Sequence, residues 1–259
     1  MSKIYLRLII GADYEPIELF EHKMQFIKSL PNVEVLALLN YQSIENKNYY
    51  LETLKNHGID AIFLWKGQFS EIEKVKRMEG MIKKLCRNEW IMNSDLDEFP
   101  DFLKPPRDFL KELSLSNANL VMGGIIDRFS KDYDIKKKIN KTTSLFKQFP
   151  VNVNMHKLFP ESKQCINIEG VNECLQPKVV LHKKHIKVSH GYHIPIGNFI
   201  EFRKRIPVYH FKWFDGVLMK LQSEINDVPD AKKHLHKNYF DQNKNLDKLK
   251  INLNLQNHI

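Results

Sequence analysis

Apolar positions in this chain change period repeatedly over the first hundred residues. Ile4 to Ile10 reads as a strand that stops at Gly11. Between Glu15 and Leu30, Ile17, Phe20, Met24 and Ile27 fall three or four apart, the spacing of one helical face. Val33 to Leu39 is an unbroken apolar run, of the kind buried on both sides of a parallel sheet. Lys47 to His57 places Tyr50, Leu51 and Leu54 on one side, and Gly58 then supplies a helix stop. Ile59 to Trp65 is a third strand. Ser70 and Glu73 make a capping box ahead of a helix striped by Ile72, Val75, Met78, Ile82 and Leu85. Trp90 to Ser94 is the fourth strand.

This order predicts an α/β fold, a single Rossmann-like domain with a mostly parallel central sheet flanked by helices. Further on, Pro105-Pro106 introduces a short helix, and Leu120 to Ile126 is a strand that holds Gly123-Gly124 and ends in Asp127-Arg128. Residues 130–141 are lysine-rich and read as a mobile loop. Val179 to Val188 is a late strand, and Phe214 to Ile225 an amphipathic helix. Past Pro229 the chain is polar and weakly periodic, so residues 229–259 are expected to be a helical or frayed tail behind a domain over 1–228.

Composition narrows the classes. At 259 residues and 42% hydrophobic content, with 16 Phe, the chain can bury a sizeable core. Forty Lys and Arg stand against 31 Asp and Glu, and the net charge of +9 favours polyanionic partners. Three cysteines, Cys86, Cys165 and Cys174, form no C-x-x-C pair, which predicts buried thiols in a reducing compartment. The start reads as a strand rather than a leader, and no apolar run approaches the roughly 18–20 residues of a membrane span. The expectation is a soluble cytoplasmic protein, compatible with peripheral contact to an anionic inner membrane.

The densest chemistry lies in Trp90 to Phe99, where an apolar strand delivers Asp95, Asp97 and Glu98 into one loop closed by Pro100. Acids near a core need a cationic partner. Asp95 and Asp97, two apart, point the same way on an extended backbone, and two hard oxygen ligands suit Mg²⁺ or Mn²⁺ shared with substrate phosphates. The plain alternative is a polar junction with solvated acids. A second cluster is Val208 to Val217, in which His210 and Lys212 share one side and Phe211 and Trp213 the other. His182, His185, His190 and His193 lack zinc-ligand spacing. A structural or phosphate-facing role fits most of them better, and His193, beside Gly191, is kept as a site candidate. Arg77 precedes the acidic loop on its helix, though a place on the polar face is the simpler reading. The basic runs resemble solvated surface rather than a nucleic-acid module. A P-loop, a G-x-G-x-x-G turn and a G-x-S-x-G elbow are all missing.

Taken together, Trp90 to Phe99 with its D-x-D-E-F form, Asp127-Arg128-Phe129, Phe146 to Pro150, Gly191-Tyr192-His193 and His210-Phe211-Lys212-Trp213 resemble glycosyltransferases of the GT-A fold, particularly bacterial family-2-like enzymes. The resemblance runs over roughly residues 3–222. It implies a nucleotide-binding half over 1–100 and an acceptor-side half over 101–228. It also implies that Asp95 contacts donor ribose or metal, that Asp97 binds the metal, and that His210 is a later metal or diphosphate contact. Arg77, Arg128, His193 and Lys212 are then candidate donor-binding residues, with Mn²⁺ or Mg²⁺ as cofactor. Asp127 is the first candidate for the base that takes the acceptor's proton, with Glu98, Glu173 and Asp215 behind it. Many relatives read the nucleotide base with an acidic loop after the second strand, whereas here Asn40 to Glu45 lacks the paired acids.

The expected activity is therefore metal-dependent transfer of a sugar from a nucleotide-diphosphate donor to a glycan or lipid-linked acceptor, in bacterial surface polysaccharide synthesis, with no nucleic-acid partner. Two rivals stay open: an aspartate-dependent phosphatase, whose D-x-D motif usually sits on the first strand and is followed by Thr, and a non-catalytic glycan- or membrane-binding protein of the same fold.

Overall fold

The computed structural model describes residues 3–83, 85, 88–154, 166–168 and 171–217, with only the backbone of Glu71, Ile72, Asn172, Glu173 and His190. Strands β1 (Ile4–Gly11), β2 (Val33–Tyr41), β3 (Ile62–Lys66) and β4 (Trp90–Asp95) alternate with helices α1 (Ile17–Lys28), α2 (Ile44–Asn56) and α3 (Glu71–Ile82). The four strands pair in parallel in the order β3-β2-β1-β4, so the winding direction reverses between β1 and β4. At such a reversal the flanking helices diverge and leave a crevice beyond the strand ends.

Alternation along the strands explains the layering. Leu8, Ile10, Ala37 and Leu39 face α1 and α2, where they pack with Phe20, Met24, Tyr50 and Leu54. Their neighbours Ile9, Leu36 and Leu38 face the other way, toward Met78 and Met81 of α3. Ser70 accepts the Glu73 N–H at the head of α3, as its capping box predicts.

The second half completes one mixed sheet. It comprises β5 (Glu98–Pro100), α4 (Pro106–Ser114), β6 (Leu120–Phe129), α5 (Leu145–Gln148), β7 (Val151–Val153), β8 (Ile166–Ile168), β9 (Val171–Lys183), β10 (Lys187–Val188), β11 (Pro195–Ile196) and β12 (Ile206–His210). The main path runs β3-β2-β1-β4-β9-β6-β12-β5, with β9 antiparallel to both β4 and β6. β10 and β11 form a separate two-stranded ribbon.

Three expectations need correcting. The late strand begins at Val171 rather than Val179, because β9 also pairs with β8 before it enters the sheet. Residues 130–141 form a packed loop, since Tyr133, Ile135 and Ile139 among the lysines are buried. Cys174 is disulfide-bonded, against the predicted buried thiol. Cys86, Cys165, most of the helix expected over 214–225, the boundary at 228 and the tail lie outside the described residues. No helix among the described residues is long and apolar enough to cross a membrane.

Gly123 explains why β6 carries a glycine at its centre. A Cβ there would meet the Ile206 carbonyl oxygen at 2.6 Å, with Val180 and Val208 within 2.9 Å. The obstacle includes backbone, so Gly123→Ala is expected to destabilise by about 1–3 kcal/mol, read from the shift of the urea midpoint.

Candidate functional site

The acidic turn stands where the strand order reverses. β4 ends at Asp95, aligned with Ile9 near the end of β1, and turns through Leu96-Asp97 into β5. β12 pairs with β5 on one side and β6 on the other, which brings His210 opposite both Glu98 and Asp127. Three parallel strands, β4, β6 and β12, and the short return strand β5 with its turn thus deliver four carboxylates and an imidazole to one end of the sheet.

Asp95 and Glu98 meet lysines from α3 and β9, and Asp97 and Asp127 share His210 of β12. Asp95 Oδ2 lies 3.1 Å from Lys74 Nζ of α3. Glu98 Oε1 is 2.5 Å from Lys178 Nζ of β9, and Glu98 Oε2 accepts the Asp95 N–H at 3.2 Å. His210 Nδ1 is 2.9 Å from Asp127 Oδ1, and its Nε2 is 3.4 Å from Asp97 Oδ2. Lys23 of α1 donates to Ser94 Oγ at 2.5 Å, to the Asp95 carbonyl at 3.0 Å and to the Glu98 carbonyl. Four carboxylates therefore face four protein cations, and Asp97, Glu98, Asp127, Lys23, Lys74 and Lys178 are all buried. Low dielectric makes such pairs interdependent: removing one partner strands a charge.

The charge states follow from this packing. Burial pulls the His210 pKa down, but Asp97 and Asp127 outweigh it and raise it to about 10. Burial lowers Lys23 to about 8, with Glu98, Asp97 and Asp95 opposing. Burial also opposes charge on Lys178, yet Glu98 and Asp95 overcome it and hold that ammonium above its usual range. At neutral pH His210 is an imidazolium that donates from both nitrogens.

Tyr192 ties the cations together. Its buried ring lies 4.9 Å from the Arg7 guanidinium, 5.3 Å from Lys74 and 5.2 Å from Lys178, each within cation–π range. Gly191 just before it has φ of +68°, and its carbonyl accepts from Lys178 at 3.2 Å. Arg7 donates to Asn93 and, at 3.2 Å, to His182 Nε2. Burial and Arg7 push His182 down to about 3, so it stays a neutral acceptor.

The predicted residues separate accordingly. Asp95, Asp97, Glu98, Asp127 and His210 come together. Lys212 lies on the same segment as His210, its Nζ 5.3 Å from the Trp213 ring. Asp127 Oδ1 already accepts from His210 and, at 2.9 Å, from Trp213 Nε1, and Glu98 is locked to Lys178. Both carboxylates thus have partners within the cluster. Arg128 is spoken for by the Phe149 carbonyl and Asn152, among the rings of Phe146, Tyr209 and Phe211. Arg77 is exposed, pairs with Glu73 at 3.4 Å and covers Trp65. His193 Nδ1 donates to the Pro177 carbonyl at 2.7 Å, beside Lys178 in sequence. The Glu173 side chain lies outside the described residues.

As arranged, Asp95, Asp97 and His210 do not form a metal-binding set. Among the described residues no three His, Cys, Asp or Glu side chains are placed to hold an ion.

No protein family matches this chain, and no curated protein matches it either. Among solved structures it is similar to *S. aureus* TarS 1-349, at 9% identity over 92% of this chain and 70% of that one, TM-score 0.40. It is also similar to a 4-diphosphocytidyl-2C-methyl-D-erythritol synthase, at 10% identity over 71% and 76%, TM-score 0.36. The corresponding synthase of *Anaerococcus prevotii* DSM 20548 gives 13% identity over 71% and 70%, TM-score 0.34. At such values no residue role or activity is carried across.

Two outcomes check the cluster. Lys178→Met leaves Glu98 buried without its cation and is expected to cost about 3–5 kcal/mol, while the double variant with Glu98→Gln recovers most of it in urea titrations. His210 is raised in the folded state above its unfolded value near 6.5, so its contribution is full below that pH and fades as pH climbs toward 10. Lys23 is lowered and acts oppositely, adding stability between about 8 and 10.5. Of these two groups only His210 acts between pH 6.5 and 8, where wild-type melting should fall relative to His210→Gln. Parallel curves there would contradict the charged imidazolium.

Proposed function

We propose that this protein is a nucleotide-sugar glycosyltransferase of GT-A type, moving a sugar from a nucleoside-diphosphate donor to a glycan or lipid-linked acceptor in bacterial surface polysaccharide synthesis. The observation that carries this reading is the position of the charged cluster, at the carboxyl end of β4 where the strand order 3-2-1-4 reverses. Asp95 is the partly exposed member, with 23% of its side chain open to solvent.

In glycosyl transfer, negative charge grows on the departing diphosphate while the sugar approaches an oxocarbenium ion. Preorganised cations stabilise that charge without having to rearrange. Here Lys212, two residues past the His210 held by Asp97 and Asp127, is the group assigned to the diphosphate, and Asp95 is assigned to the donor's ribose. Asp13 organises the neighbouring loop by accepting the Gln42 N–H at 2.6 Å and the Ser43 N–H at 3.2 Å, which steadies the place where a nucleoside would lie. The acceptor's proton needs a carboxylate that is not locked in the cluster. Asp215 is exposed, on a loop whose Gly216 comes against the Tyr14 carbonyl just past β1. It takes the role first expected of Asp127.

Titration calorimetry with a panel of nucleoside diphosphates, in EDTA and in Mn²⁺, tests the reading. Wild type should bind at least one of them. Lys212→Met should weaken that binding by at least about tenfold, the scale of one charge-assisted hydrogen bond. Flat titrations across the panel in both buffers would remove the assignment, and binding seen only with Mn²⁺ would return Asp97 to a metal-ligand role.

A further inference from the structure

The segment after the Tyr192 turn carries apolar side chains into solvent. Ile194, Ile196, Phe199 and Ile200 are 38%, 53%, 41% and 49% exposed, all within seven residues. Single exposed apolar residues are ordinary, but a run of four large ones marks a docking surface. The segment is pinned at both ends. Ser189 and Ile194 exchange two hydrogen bonds at 2.8 and 2.9 Å, and Asn119 and Ile200 exchange two more at 2.9 and 2.7 Å. Between these anchors, β11 pairs with β10, setting Ile196 opposite the exposed Lys187. A loop already fixed in shape loses little conformational freedom on docking.

Its surroundings are strongly basic. Between residues 183 and 205 stand Lys183, Lys184, Lys187, Arg203, Lys204 and Arg205, against the single acid Glu201. Lys183 donates to the Asn88 carbonyl and Lys184 to those of Lys83 and Leu85, bonds that leave their charge in place. Arg203 and Lys204 share one carboxylate, Glu112, with Lys104. Lysine is depleted in the cores of protein interfaces, whereas apolar side chains ringed by Lys and Arg suit an interfacial bilayer contact.

We propose that residues 194–200 are a membrane-docking loop, inserting Ile196, Phe199 and Ile200 at the headgroup boundary of an anionic lipid surface while the surrounding lysines and arginines meet the lipid charge. One end of the loop is anchored to Asn119 just before β6, and the other follows Tyr192, whose ring lies against Arg7, Lys74 and Lys178. The inference does not depend on the glycosyl-transfer reading.

Sedimentation of the full chain with phosphatidylglycerol–phosphatidylcholine vesicles, and with phosphatidylcholine alone, tests it. Wild type should sediment with the anionic vesicles only. Ile196→Ser/Phe199→Ser should bind them at least about tenfold more weakly, and Lys184→Gln/Lys187→Gln severalfold more weakly. Both variants should keep wild-type melting temperature and nucleotide binding, since neither touches the cluster. The proposal is overturned if wild type stays in the supernatant with anionic vesicles. It is equally overturned if the apolar variant sediments like wild type, which would leave net charge alone as the cause. Concentration-dependent self-association lost in that variant would assign the loop to a second copy of the chain instead.

Discussion

The contact between Lys178 and Glu98, deep in the sheet, sets the terms for everything around it. A buried ammonium and a buried carboxylate are tolerated only together, and Glu98 also accepts the backbone N–H of Asp95. That pairing fixes the turn between β4 and β5. With the turn fixed, Asp97 is held against His210, and the Lys23 ammonium has carbonyls and a hydroxyl to satisfy it. Tyr192 then offers one ring to three cations from three different elements. None of these charges is tolerable alone, so the cluster holds as a unit.

A cluster of this kind changes what the D-x-D-E-F sequence means. Read on paper, two aspartates invite a divalent ion. Folded, the positive charge that such an ion would bring is already supplied by Lys74, Lys178 and the imidazolium of His210. Two residues past that imidazole stands Lys212, the group to which the proposed function assigns the diphosphate.

Much of this was legible in the sequence, and the gaps have physical causes. The β-α alternation and its parallel strands follow from apolar periodicity, because α1, α2 and α3 each present a stripe that only a sheet could cover. Asp95, Asp97 and His210 were readable because charge beside apolar runs is costly without a purpose. The lysines were missed, although a signal existed. Lys23 sits three residues after Phe20 and beside Met24, on the buried face of α1, and Lys74 is four residues before the buried Met78. A lysine on an apolar stripe is ordinarily read as a snorkelling side chain; here it marks an acid across the interface. Arg77, three residues further along α3, falls off that stripe and lies exposed against Glu73. The antiparallel insertion of β9 was hidden too, since its first residues pair with β8 and only the later ones show a buried-strand run.

The account stands on His210 being a cation clamped between Asp97 and Asp127. Nitrogen-detected NMR of the imidazole ring at pH 8, in a sample stripped of divalent ions, tests this most directly. Both ring nitrogens should carry protons and show imidazolium shifts. A neutral ring with one bare nitrogen at that pH would contradict the clamp and return the aspartates to the role of metal ligands.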